Sequence, residues 1–90
     1  MKKAIYKVPN GKLLKVFVEE NEGRIVAIKI TGDFFAHPEE NIEKLEQRLV
    51  GTSLDADTLD AQIQKFFESN PTSLFGLDTA SLVSTILNAS

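Results

Sequence analysis

Any chemistry in this chain has to run through very few side chains. There is a single histidine, His37, and no cysteine. Without thiols there is no disulfide framework, thiolate metal site or thiol nucleophile. Without a second imidazole the usual nitrogen and sulfur ligand sets for a transition metal cannot be built. His37 stands just before Pro38 at a helix start and reads as a capping or surface residue. Serines are present, but no base partner is placed to make a Ser-His-Asp arrangement. Asp33, next to Gly32, could ligate Mg²⁺; a single carboxylate beside glycine reads first as a turn residue bonding to nearby backbone N–H groups. The segment GKLLK at 11–15 lacks the leading glycine and the Ser/Thr after lysine that a P-loop needs. Asp55, Asp57 and Asp60 resemble an acidic cluster, but the first two belong to helix-start chemistry and the third to solvation.

Charge and aromatic placement are more informative. The net charge is −3, which gives no general case for nucleic-acid binding. Its distribution is lopsided: residues 1–15 hold five lysines (Lys2, Lys3, Lys7, Lys12, Lys15) and no acid, whereas 16–90 hold five bases and thirteen acids. Lysines on exposed strands deter edge pairing; the functional alternative is a basic edge facing an anionic ligand or an acidic partner. The other unusual feature is Gly32-Asp33-Phe34-Phe35, which puts adjacent aromatics at the mouth of a loop. If the strand alternation continues past Ile30, Gly32 and Phe34 extend its apolar face. Phe35 then points away, towards a partner-facing loop with Gly32 and Asp33, unless a bulge at Gly32 reverses the order.

The elements that must position these residues follow from length and periodicity. Ninety residues, 42% hydrophobic and 26% charged, make one soluble globular domain spanning 1–90. No apolar run approaches the ~20 residues needed to cross a bilayer. Lys7 and Pro9 break up any signal-peptide core, so the expected location is the cytoplasm. Residues 3–8, 12–20 and 24–31 read as strands, separated by turns at Pro9-Asn10-Gly11 and Asn21-Glu22-Gly23. Leu14, Val16 and Val18 share one face of the second strand; Val26, Ile28 and Ile30 are expected to share one face of the third. The period then becomes helical. Pro38 fits a first helical position, Glu39 and Glu40 suit the first turn, Ile42, Leu45 and Leu49 recur on one face, and Gly51 follows the end. Two further helices start alike, at Leu54-Asp55 with Leu59 and at Leu77-Asp78 with Leu82, each pairing an Asp N-cap with a hydrophobic staple. The expected fold is α+β: a three-stranded antiparallel sheet followed by three helices packed on one face, in the order βββααα.

Three stretches, GKLLKVFVEENEGRIVAIKITGDFF, IEKLEQRLVGTSLDADTLDAQI and LFGLDTASLVSTI, together resemble a known family over about residues 5–88. The chain is similar to the C-terminal accessory domain of lipoate–protein ligases. The resemblance rests on Gly11 leading a strand, a looser form of the V-x-x-G-x-I hairpin between Val18 and Ile25, Gly32-Asp33-Phe34-Phe35, and the helix exit Leu49-Val50-Gly51. Gly-Asp-Phe-Phe is its most specific part. In many such ligases this domain follows a catalytic domain with a glycine-rich lipoate loop and an active-site lysine, neither of which is recognisable in this sequence. Met1-Lys2-Lys3 and a last helix near the terminus fit the split arrangement in which the accessory domain is a separate subunit.

The resemblance implies a non-catalytic subunit, inactive alone, that works as a heterodimer with a catalytic subunit. The pair would activate lipoate with ATP and Mg²⁺ to lipoyl-AMP, then transfer lipoyl to a lysine of an acceptor domain. This chain would bind none of those cofactors by itself and would touch neither nucleic acid nor membrane. Its expected partner-facing or active-site-facing residues are Gly32, Asp33 and Phe35, with Lys7, Lys12 and Lys15 facing ATP phosphates or an acidic acceptor surface. The competing expectation is a small binding or scaffold protein of the iron–sulfur assembly type, against which the missing thiolates count. An independent hydrolase or transferase is a third class, without a catalytic constellation to support it.

Overall fold

The structure, a computed structural model, describes residues 1–90. Strands β1 (Lys2–Lys7), β2 (Leu13–Asn21) and β3 (Arg24–Gly32) form an antiparallel sheet in that order. After it come β4 (Phe35–His37), α1 (Glu40–Leu49), α2 (Ala56–Ser69), β5 (Ser73–Phe75) and α3 (Thr79–Asn88). The α+β expectation holds. The short β4–β5 antiparallel pair is an addition to it.

Alternation in the strands sends Leu14, Val16 and Val18 into the core, where each is essentially solvent-free. Helices α1 and α3 lie on this face, α1 against β3 and α3 against β1 and β2, while α2 packs on both helices. One cluster of 17 buried apolar residues results, with Leu45 and Leu49 from α1, Leu59 and Ile63 from α2, and Leu82 and Ile86 from α3. The expected third-strand face needs correction. Ile25 is buried and Val26 is 47% exposed. The cause is a bulge: Glu19 pairs with Ala27 and Glu20 with Ile25, so Val26 is the extra residue and the alternation shifts by one below it.

The free edge of β3 is sealed rather than open. Glu46 of α1 accepts the Ile30 N–H through Oε2 at 2.6 Å. The loop after α1 covers the strand's other end: Gly51 N–H donates to Ile25 O, Ile25 N–H to Thr52 O, and Leu54 N–H to Gly23 O. A covered edge cannot template pairing with another chain.

Helix starts follow the sequence closely for α2 and α3 and less so for α1. Asp55 accepts from Thr58 N–H at 2.9 Å and Asp78 from Ser81 N–H at 2.7 Å, in both cases the N3 donor of an N-cap. Hydrogen bonds from the Thr58 hydroxyl and N–H hold the Asp55 carboxyl below its ordinary value. By contrast, α1 begins at Glu40, two residues after Pro38, with Glu39 as a helical N-cap making no side-chain bond. Pro38 forms the entering turn instead, its carbonyl accepting from Asn41 N–H at 3.2 Å.

Candidate functional site

At one end of the molecule, three backbone segments meet. The β1–β2 turn carries Asn10 at φ 57°, as its Asn-Gly signal predicts. Lys12 N–H donates to Gly76 O at 3.0 Å, which ties this turn to the residue after β5. Gly11 packs so closely there that a Cβ on it would lie 2.8 Å from the same Gly76 oxygen. Gly76, at φ +83°, in turn leaves room for the Lys12 side chain, whose Cγ lies where a Gly76 Cβ would point. The third segment is the exit from β3: Asp33 N–H donates to Leu13 O at 2.9 Å. Gly32 has φ +147°, and a Cβ on it would collide with the Leu13 carbonyl oxygen. Its glycine identity is therefore set by backbone packing.

This end brings together most of the residues singled out in the sequence. Lys7 donates through Nζ to Gly11 O at 2.6 Å, fastening its ammonium group over the turn. Lys12, Gly32 and Asp33 surround the same turn. Lys15 stands further along β2, paired with Ile5 and Thr31 on the sheet face opposite the helices. That face also carries Lys3, Lys7 and Lys29, with Lys3 and Lys29 both paired with Phe17. It is a surface of cations and scattered apolar side chains, with the acid Glu19 at its far end and no helix over it.

The two phenylalanines part company as alternation expects. Phe34 is half-buried against the core. Phe35 is 63% exposed. What sequence reasoning missed is its neighbour: Phe75 of β5 is the register partner of Phe35 and is 69% exposed. In this small sheet Ala36 and Leu74, also register partners, turn inward, while Phe35 and Phe75 turn outward. A three-residue strand after Pro71 offers too short an alternation to stand out, although Phe75-Gly76 is itself a turn signal. A polar relay positions β5: buried Asn41 of α1 donates to Thr72 Oγ1 at 2.8 Å, Thr72 Oγ1 donates to Asn70 O at 2.7 Å, and Asn70 Nδ2 donates to Phe66 O at 3.0 Å.

No group of three or more His, Cys, Asp or Glu side chains is placed to hold a metal ion. This end presents two exposed aromatics, Phe35 and Phe75, with Lys7 and Lys12 beside the adjoining turn.

Residues 5–86 match the family model for the bacterial lipoate protein ligase C-terminus. The chain belongs to this family. Among relatives of this lipoate ligase C-terminal chain is lipoate-protein ligase A subunit 2 of Thermoplasma acidophilum, 42% identical over 43 residues. The matched stretch is 48% of this chain and spans about half, 46%, of that relative's length. The fold also matches a chain from the structure of an archaeal bi-partite lipoate protein ligase with its E2 lipoyl domain, again from Thermoplasma acidophilum. The TM-score is 0.82 at 26% identity, covering 96% of this chain and 94% of the other. The match to that chain therefore runs over nearly the whole of this one. The iron–sulfur assembly alternative is not favoured.

Proposed function

We propose that this chain is the accessory subunit of a two-component lipoate–protein ligase, acting with a separate catalytic subunit in ATP-dependent activation of lipoate. The observation that carries this reading is the end-to-end fold match to a chain of a bi-partite ligase, added to family membership. In the activation step a lipoate carboxylate oxygen attacks the α-phosphorus of ATP, forming lipoyl-AMP and releasing pyrophosphate. In the transfer step a lysine amine of the acceptor domain attacks the acyl carbon and AMP leaves. This chain supplies neither nucleophile nor base to either step. It closes over the adenylation site, orders loops there and keeps water from the reactive mixed anhydride. Mg²⁺, ATP and lipoate belong to the complex rather than to this chain alone.

Lys7, Lys12 and Lys15 give the covering subunit a cationic side. In this reading they face ATP phosphates or an acidic acceptor surface, while Gly32 and Asp33 shape the backbone that presents Phe35. The test is pyrophosphate release from lipoate, ATP and Mg²⁺ with purified components. This chain alone gives background rates, and adding it to its catalytic subunit raises release strongly. A competent catalytic subunit that shows no stimulation refutes the proposal.

A further inference from the structure

We infer that the outward face of the β4–β5 sheet, centred on Phe35 and Phe75, is the anchor by which this chain docks on the catalytic subunit. The inference deepens the proposed function and rests on it. The exposure of these two side chains, 63% and 69%, places them among the most exposed large apolar groups of the molecule. They are register partners on one face of an antiparallel pair, so their side chains stand side by side. Nothing in the fold uses them: Ala36 and Leu74 make the inward contacts of this sheet, and the core cluster closes without either phenylalanine. Leaving two aromatics in water on adjacent strands is unfavourable for an isolated chain. Aromatics on a rigid support are what interface anchors are made of.

The support is rigid for reasons already visible. Gly76, directly after Phe75, is held by Lys12 N–H, and Asp33, shortly before Phe35, is held by Leu13 O. Both strands therefore hang from the β1–β2 hairpin by backbone bonds, and little order remains to be gained on binding.

Shape selects the occupant and charge tunes its rim, with Lys7 and Lys12 near Phe75 and Asp33 two residues before Phe35. The Lys12 stem lies on Gly76 beside Phe75, and the Lys7 ammonium sits over the same turn at Gly11. A second copy of this chain docking face to face would offer no pocket, because its counterpart surface is the same pair of protruding phenylalanines. The fitting partner surface is an apolar pocket for two aromatic rings with carboxylates at its rim, and we assign that pocket to the catalytic subunit.

The test is isothermal titration of the catalytic subunit with the full chain and with Phe35→Ala, Phe75→Ala and Val50→Ala. Val50, 51% exposed at the exit of α1, serves as the apolar control. Thermal melts verify that each variant folds. The single phenylalanine variants should each weaken Kd by at least about tenfold, with Val50→Ala close to wild type. Wild-type binding that both phenylalanine variants match overturns the docking face and leaves the accessory-subunit reading standing. Absence of wild-type binding to a competent catalytic subunit removes both. If sedimentation shows wild type self-associating, and Phe35→Ala and Phe75→Ala disperse it without changing affinity for the catalytic subunit, the face is a self-contact and the assignment fails.

Discussion

Gly32 and Phe35 sit three positions apart and do unlike things. Gly32 was expected among the partner-facing residues, yet its identity has a sufficient cause inside the fold: positive φ and a backbone carbonyl where a Cβ would sit. Gly32→Ala should therefore act on stability, lowering it by about 1–3 kcal/mol as a shifted urea midpoint with unchanged m-value. An unchanged midpoint would mean that the β3 exit relaxes freely and that the close approach to Leu13 constrains nothing. Phe35 is the opposite case. Its side chain is free of the core, so its presence asks for an explanation outside the chain. The distinction between the two phenylalanines was legible because alternation survives the chain's bend at Asp33. The pairing of Phe35 with Phe75 was not legible, because it joins segments forty residues apart in sequence through a two-stranded sheet of three-residue strands.

At the scale of elements, local signals with a single physical cause were the readable ones. The Asp N-caps with their leucine staples located α2 and α3 within a residue, since cap and staple both act inside one turn of helix. The hairpin turns followed from Asn-Gly and Glu-Gly, and both Glu22 and Gly23 take positive φ as a tight primed turn requires. Features set by partners distant in sequence were unreadable. The bulge at Val26 lies in the β2–β3 register, beside an Ile25 that exchanges backbone bonds with the loop after α1, and no residue type at 25–27 announces it. The caps make a pH prediction. The folded-state pKa of Asp55 is depressed, so its contribution is fully present above the unfolded value and is lost as pH falls through the folded one. Asp55→Ala should lower Tm by several degrees at neutral pH, and the gap from wild type should narrow as pH drops below the ordinary carboxylate range. A gap that stays constant with pH would show that the ionised carboxylate is not what caps α2.

For the whole molecule, the arrangement is a small core with its exposed aromatic pair at one end. The helices cover one face of the sheet, the loop after α1 and Glu46 seal the β3 edge, and the lysine-rich hairpin and the two exposed aromatics share the remaining end. Such a body fits the proposed covering role, in which this end would meet the catalytic subunit and bond-making would be left to that subunit. The no-catalyst reading predicts a division between the two steps of lipoylation, because closing over an adenylation site matters while lipoyl-AMP is being made and much less once it exists. The most direct measurement compares acceptor-domain lipoylation by the catalytic subunit, with and without this chain, starting either from lipoate, ATP and Mg²⁺ or from preformed lipoyl-AMP. The account predicts stimulation of about tenfold or more in the first case and little change in the second. Equal stimulation from both starting points, or stimulation only from lipoyl-AMP, would contradict it.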